Sequence, residues 1–354
     1  MKIGTLTFHR ACNYGGVLQC YALVTYLRSL GYSAEVIDYR SRAIEKSYAI
    51  INTKSFKHFF SSILNFFHTI KTKKNFRKFL NANIPISNQV YYGPNELSNQ
   101  YDLFFIGSDQ IWSKRINKGF DPVYWGQFEG KIVSYAASMG TDHDYSEYEY
   151  KKISSFLQRF HCISTREDSL RNEIAPYTKK RVQTVIDPVL LLSVHDYKKI
   201  AVKPKEEQYV LYYQMEYNSA SKDFVANIAR QLNCSVITIM GPNEYYGGIE
   251  HIHKSTFQVS VEELVGYIYN ARCVISSSFH GTALPIAMQK DFYFLANRMT
   301  DRSENLLRHI GAIDRMKKST EMIEFTPVDY SVITPYLNSF ITESKNYIKE
   351  CIER

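Results

Sequence analysis

The sequence predicts an α/β fold: two Rossmann-like domains whose parallel sheets face each other across a cleft. Three observations predict it. Short apolar runs of the buried-strand kind recur along the chain, among them DLFFIG at 102–107, IVSYAA at 132–137, QYVLYYQM at 208–215 and RCVISSS at 272–278. Stretches with helical spacing separate them, and strands that alternate with helices build parallel sheets. Polar and glycine-rich clusters follow the strands in both halves, and that edge of an open α/β sheet is where ligands bind.

Taken in order, residues 2–8 form the first strand and HRACNYGG at 9–16 its loop; a helix over 16–30 stops at Gly31. AEVIDY at 34–39 is the second strand. A basic segment at about 46–95 interrupts the alternation. DLFFIG, IVSYAA and HCIST (161–165) resume it, with helical spacing over 145–160, and VQTVIDP at 182–188 is a strand stopped by proline. In the second half QYVLYYQM and SVITIM (235–240) flank a helix near 219–232. VEELVGYIYNA (261–271) is a helix, RCVISSS a strand, GTALPIAMQ (281–289) a helix, DFYFLAN (291–297) a strand, and 304–310 and 331–352 are helices. The expected domains are Rossmann-like units at 1–190 and 205–330, joined across 188–204, with a C-terminal helix at 331–354.

Charge is uneven. Lys46, Lys54, Lys57, Lys71, Lys73, Lys74, Arg77 and Lys78 stand in a stretch without Asp or Glu, and they account for the whole net charge of +8. Phe56, Phe59, Phe60, Ile63, Leu64, Phe66, Phe67 and Ile70 lie between them at spacings of three and four, so a basic amphipathic helix is expected. Residues 54–78 would then dock on an anionic membrane surface. No nucleic-acid motif accompanies the patch, and no nucleic-acid partner is expected. No run reaches the roughly 18 apolar residues of a membrane span. The first residues read as a strand rather than a signal peptide. Six cysteines lie scattered without a CxxC pair, as in a reduced, metal-free cytoplasmic protein.

Candidate site residues gather at the strand ends. Asn13, Gly15, Gly16 and Gln19 follow the first strand, where glycine allows a ligand close to the backbone. Ser108, Asp109 and Gln110 follow DLFFIG and offer a carboxylate and amide to a sugar hydroxyl; Asp109 would otherwise lead an Asx-turn. Arg166 of STRED would clamp a carboxylate or phosphate, or pair with Glu167 or Asp168. His280 stands where a strand ends and a helix begins, flanked by Ser278, Gly281 and Thr282. GxSxG, HExxH and Walker motifs are absent, and neither metal nor cofactor is expected.

In this order the motifs NYGGVLQCYAL (13–23), GSDQIW (107–112), SYAASMG (134–140), STREDSL (164–170), VIDPVLLL (185–192), SSSFHGTALPIA (276–287) and RSENLLRHIGAIDR (302–315) resemble those of the polysaccharide pyruvyl transferase family. The resemblance implies a GT-B-like fold and transfer of the pyruvyl group of phosphoenolpyruvate (PEP) to sugar hydroxyls as a ketal. It puts the PEP-binding arginine at Arg166 and the catalytic acid/base at His280. Many members have an arginine where this chain has Ser278; Arg302 matches an arginine of the next motif and would supply that charge. The acceptor would be a sugar in a polysaccharide precursor, polyprenyl-diphosphate-linked at the inner face of the membrane. Two other classes remain: a nucleotide-sugar glycosyltransferase of the same fold, and a non-catalytic glycan-binding member.

Overall fold

A computed structural model describes residues 1–48, 66–98, 100–140, 145–214, 219–240, 254–256, 259–296 and 301–353. They fall into two compact units, Met1–Leu191 with Thr342–Arg354, and Leu192–Ile341.

The first unit carries a seven-stranded parallel sheet. Its strands are β1 (Lys2–Leu6), β2 (Ser33–Tyr39), β3 (Ile86–Tyr91), β4 (Leu103–Gly107), β5 (Ile132–Tyr135), β6 (Phe160–Thr165) and β7 (Val182–Thr184), in the order β3-β2-β1-β4-β5-β6-β7. Helices α1 (Tyr14–Ser29), α2 (Arg42–Ser47), α3 (Phe66–Asn83), α4 (Lys114–Asn117), α5 (Glu147–Leu157) and α6 (Asp168–Ile174) lie between them. Strand β4 is buried at every position, which is why its sequence is a continuous apolar run rather than an alternation. The Trp112 and Trp125 rings stack in the core, 4.7 Å apart.

The second unit holds helix α7 (Val194–Ile200) and then a six-stranded parallel sheet in the order β10-β9-β8-β11-β12-β13. Its strands are β8 (Tyr209–Gln214), β9 (Ser235–Met240), β10 (Lys254–Thr256), β11 (Cys273–Ser276), β12 (Phe292–Leu295) and β13 (Met316–Lys317). Helices α8 (Ser219–Gln231), α9 (Val261–Asn270), α10 (Phe279–Ala287) and α11 (Asp301–His309) connect them. The S-x-x-E signal at Ser260 and Glu263 closes a capping box at the start of α9. Helix α12 (Tyr330–Glu353) starts in this unit, and its last turns belong to the first. There Ser344 Oγ accepts a hydrogen bond from Ile186 N at 2.8 Å, and the Tyr347 hydroxyl donates to Ser134 O at 2.8 Å.

The expected fold class of two parallel-sheet α/β units holds. The basic segment, however, is no simple insertion. It contains β3, which pairs in parallel with β2 and forms one edge of the sheet. ISNQVY escapes a search for apolar runs because an edge strand has one neighbour and keeps polar residues exposed.

The expected membrane segment is described only in part. On α3, Thr72, Phe76, Phe79 and Leu80 are buried, and the Phe76 ring lies 5.0 Å from Tyr14 and Phe79 5.8 Å from Tyr21 of α1. These four side chains pack inward, away from solvent. The expectations for Lys54, Lys57, Phe56, Phe59, Phe60, Ile63 and Leu64 lie outside the described residues. No described helix is long and apolar enough to cross a membrane.

Candidate functional site

Each sheet has one point where strand order reverses. In the first, β1 pairs with β2 on one side and β4 on the other. In the second, β8 stands between β9 and β11. Connections leave such a pair in opposite directions and open a crevice beyond the carboxyl ends of the strands. NYGG and GSDQ follow β1 and β4; the serines and His280 follow β11. These candidate residues therefore stand at the two switch points, whereas Arg166 follows β6 and Arg302 lies on α11.

In the first unit the turn after β4 is the most constrained piece of backbone. Gly107, Ser108 and Asp109 take φ of 158°, 51° and 54° in succession. A side chain on Gly107 would put its Cβ 2.0 Å from Tyr135 O, so only glycine passes there. Left-handed conformations at Ser108 and Asp109 cost about 1–2 kcal/mol each, and strain of this kind concentrates where function fixes a geometry. Here it sets the Asp109 carboxylate beside the start of α1. Asp109 Oδ1 accepts from Gln110 N at 2.9 Å, the local turn expected of an aspartate. Its Oδ2 would lie 3.1 Å from a Cβ at Gly16. Gly16 thus makes room for a carboxylate, whereas glycine was expected to make room for a ligand. Asn13 caps α1, its Oδ1 accepting from Gly16 N at 3.2 Å. Gly15 is buried in the same turn.

Three expected binding side chains turn inward. Gln19 is fully buried and donates from Nε2 to Thr7 Oγ1 at 2.7 Å and Gly16 O at 2.8 Å. Ser108 is fully buried and donates to Asp187 Oδ2 at 3.2 Å. In the second unit Thr282, 1% exposed, donates to Ser278 O at 3.0 Å. Short polar side chains at a strand-to-helix turn are captured by nearby backbone and side-chain partners before any ligand arrives. Gln110 is half-buried, its amide set against Gly140.

Arg166 departs furthest from an open clamp. It is 3% exposed; Nε pairs with Glu167 Oε1 at 3.0 Å and Nη1 with Asp187 Oδ2 at 2.9 Å. Asp168 is not its partner and instead meets Thr184 and Arg171. Burial works against the charge on Arg166, but the carboxylates of Glu167, Asp187 and Asp109 outweigh it and hold the guanidinium firmly protonated. Asp187 is the hub, taking both Arg166 and Ser108 on Oδ2 while Oδ1 accepts from Val189 N at 3.1 Å. One buried network therefore ties GSDQ, STRED and VIDP together. Sequence reading named Glu167 as an alternative partner of Arg166 but did not single out Asp187; the available signal was an aspartate before proline at a strand end, at the same sheet edge as the other motifs.

In the second unit Ser278 caps α10, accepting from Gly281 N at 3.5 Å, and His280 is the second residue of that helix. Its ring is 7% exposed and packs edge-on against Phe279 at 5.1 Å. Ser276 Oγ donates to Tyr213 O at 2.8 Å and accepts from Ser278 N at 3.0 Å, which binds the end of β11 to β8. The first turn of α10 has no acidic residue, so the positive end of its dipole is not offset. Arg302 is half-buried in the first turn of α11, a helix packed against α10.

Gly281 lets α10 approach the sheet. A Cβ there would fall 2.1 Å from Ser276 Oγ and 2.6 Å from Tyr213 Cδ1. Gly281→Ala should destabilise the second unit by about 1–3 kcal/mol, the usual cost of overpacking. Thermal unfolding followed by circular dichroism checks it, and an unchanged transition would contradict this packing.

A model of the polysaccharide pyruvyl transferase family matches residues 13–298. The chain belongs to that family. In this polysaccharide pyruvyl transferase family member the match spans both switch-point clusters, from Asn13 through His280. No curated protein matches the chain. Among solved structures it is similar to Anabaena HepE in complex with UDP-glucose, at 11% identity and TM-score 0.52, over 100% of this chain and 98% of that one. It is also similar to the glycosyltransferase SnogD from Streptomyces nogalater (9% identity, TM-score 0.46, 100% and 98% covered). A third is UDP-GlcNAc 2-epimerase from Neisseria meningitidis bound to UDP-GlcNAc (10%, 0.47, 99% and 94%). At these identities the likeness concerns fold alone.

Proposed function

We propose that this family member transfers the pyruvyl group of PEP to hydroxyls of a sugar in a polysaccharide precursor, forming a pyruvate ketal and releasing phosphate. The observation that carries the reading is His280, in the first turn of α10 at the switch point of the second sheet, within the family match. PEP brings a phosphate and a carboxylate, and a helix start with no acidic residue favours both. His280 protonates the methylene carbon, the general-acid role that histidine most often takes in enzymes. The oxocarbenium centre takes a sugar hydroxyl, phosphate departs, and a second hydroxyl closes the ketal. Of the two hydroxyl protons, one balances the new methyl group and the other leaves with phosphate. Asp109 orients or deprotonates the acceptor hydroxyl. Arg166 acts through Asp187 and Glu167, holding the turns that present Asp109, rather than as an open clamp. Arg302 supplies the cation that Ser278 does not.

The test is incubation with PEP and lipid-linked or nucleotide-linked sugars, with phosphate release and product mass as readouts. The expected product is the acceptor plus a pyruvate ketal, formed with stoichiometric phosphate. A parallel arm with UDP-sugars and no PEP separates glycosyl transfer, whose product lacks the ketal mass. Turnover there, with PEP inert, would overturn the reading.

A further inference from the structure

We infer that the outer face of α3 is an electrostatic docking surface for an anionic lipid bilayer. The inference stands apart from the reaction proposed above.

Lys71, Lys74, Arg77 and Lys78 are all exposed on α3, and spacings of three and four put them on one face. Thr72, Phe76, Phe79 and Leu80 occupy the other face, buried against the unit. Ile70, 38% exposed, continues the cationic stripe at its leading end. None of the four cations forms an ion pair with a described residue. The nearest acids in sequence are Glu45 and Glu96, and Glu45 is engaged by Arg10. A surface helix that only needed solubility would mix both signs, since opposite charges at these spacings support the helix and like charges weaken it. Here the sequence accepts four repelling cations on about two turns. Dense negative charge brought from outside the chain would relieve that repulsion.

The chemistry that answers such a face is a plane of phosphates. The cations form a strip on a convex helix, without the concave walls that would enclose a small anion. Phe76, Phe79 and Leu80 are buried, so the contact proposed for this face is by charge. Each lysine or arginine brought to an anionic surface strengthens partitioning by about fivefold, and the effect decays within a Debye length.

The test uses the full chain in co-sedimentation with phosphatidylcholine vesicles, with and without about a third phosphatidylglycerol. Wild type should pellet with anionic vesicles at about 0.1 M salt and be released at about 1 M, where the Debye length falls from about 10 Å to about 3 Å. It should ignore neutral vesicles. The variant Lys71→Glu, Lys74→Glu, Arg77→Glu, Lys78→Glu should lose on the order of a hundredfold or more in partitioning and keep the wild-type melting transition, since all four side chains are exposed. Wild type left in the supernatant at low salt, equal pelleting of a folded variant, or equal binding to neutral vesicles would each overturn the inference. If the fourfold variant unfolds, Lys71→Gln with Lys78→Gln decides, with an expected loss of at least about tenfold. Duplex DNA is the control polyanion: binding to it at low salt with no binding to anionic vesicles also overturns the inference.

Discussion

Replacing His280 with alanine should lower turnover by about 10²–10⁴ while the fold survives, as expected when a general acid is removed from a proton-transfer step. The fold survives because α10 keeps its other anchors: the Ser278 cap, the Gly281 contact with the sheet, and buried Leu284 and Ile286. PEP affinity should change far less than turnover if binding rests on the helix start. The measurement is steady-state phosphate release, with circular dichroism on the same sample. A variant with near wild-type turnover would remove His280 from the chemistry; a variant that has lost its structure would assign it to packing.

Arg166→Ala should act in the opposite way, on stability first. It leaves Glu167 and Asp187 buried without their cation, at 1% and 2% exposure. Breaking a buried ion pair by removing one partner typically costs about 3–5 kcal/mol. The protein offers a clean readout, because its two tryptophans, Trp112 and Trp125, both belong to the first unit. Urea unfolding followed by tryptophan fluorescence should show an earlier transition. Arg166→Lys should recover only part of the loss, since lysine keeps the charge but not the two-pronged geometry. An unchanged fluorescence transition combined with weaker PEP binding would return Arg166 to the role of a substrate clamp.

The contrast between these residues shows what the sequence made legible. Strand-then-helix alternation, with β4 and β11 as solid apolar runs, was enough to read two parallel sheets. It was also enough to put Asn13, Asp109, Arg166 and His280 at strand ends, because that edge is where a polar cluster interrupts an apolar run. What it hid was direction. Nothing in STRED distinguishes an arginine facing a ligand from one facing Asp187, which is 21 residues away in the chain. Gln19 and Thr282 were hidden otherwise: each bonds a carbonyl three or four residues back, Gly16 O and Ser278 O, and a motif does not distinguish that local bond from contact with a ligand. Strand β3 was missed because half of its residues are polar. The short edge strands β10 and β13, of three and two residues, carry too few residues to form a pattern.

The course of α12 sets an order of events during synthesis. Ser344, Tyr347, Ile348 and Cys351 complete the first unit, and three of these four have no exposed surface. Yet the ribosome makes them after all of Leu192–Ile341, roughly 150 residues. At about 5–20 residues per second, that interval lasts about 8–30 s. Throughout it the first sheet has emerged with Ile186 N and Ser134 O still lacking the partners that α12 brings. The usual vectorial sequence, in which the leading unit finishes before the next begins, is therefore closed to this chain. Its leading unit waits, incomplete, for the trailing one to be made.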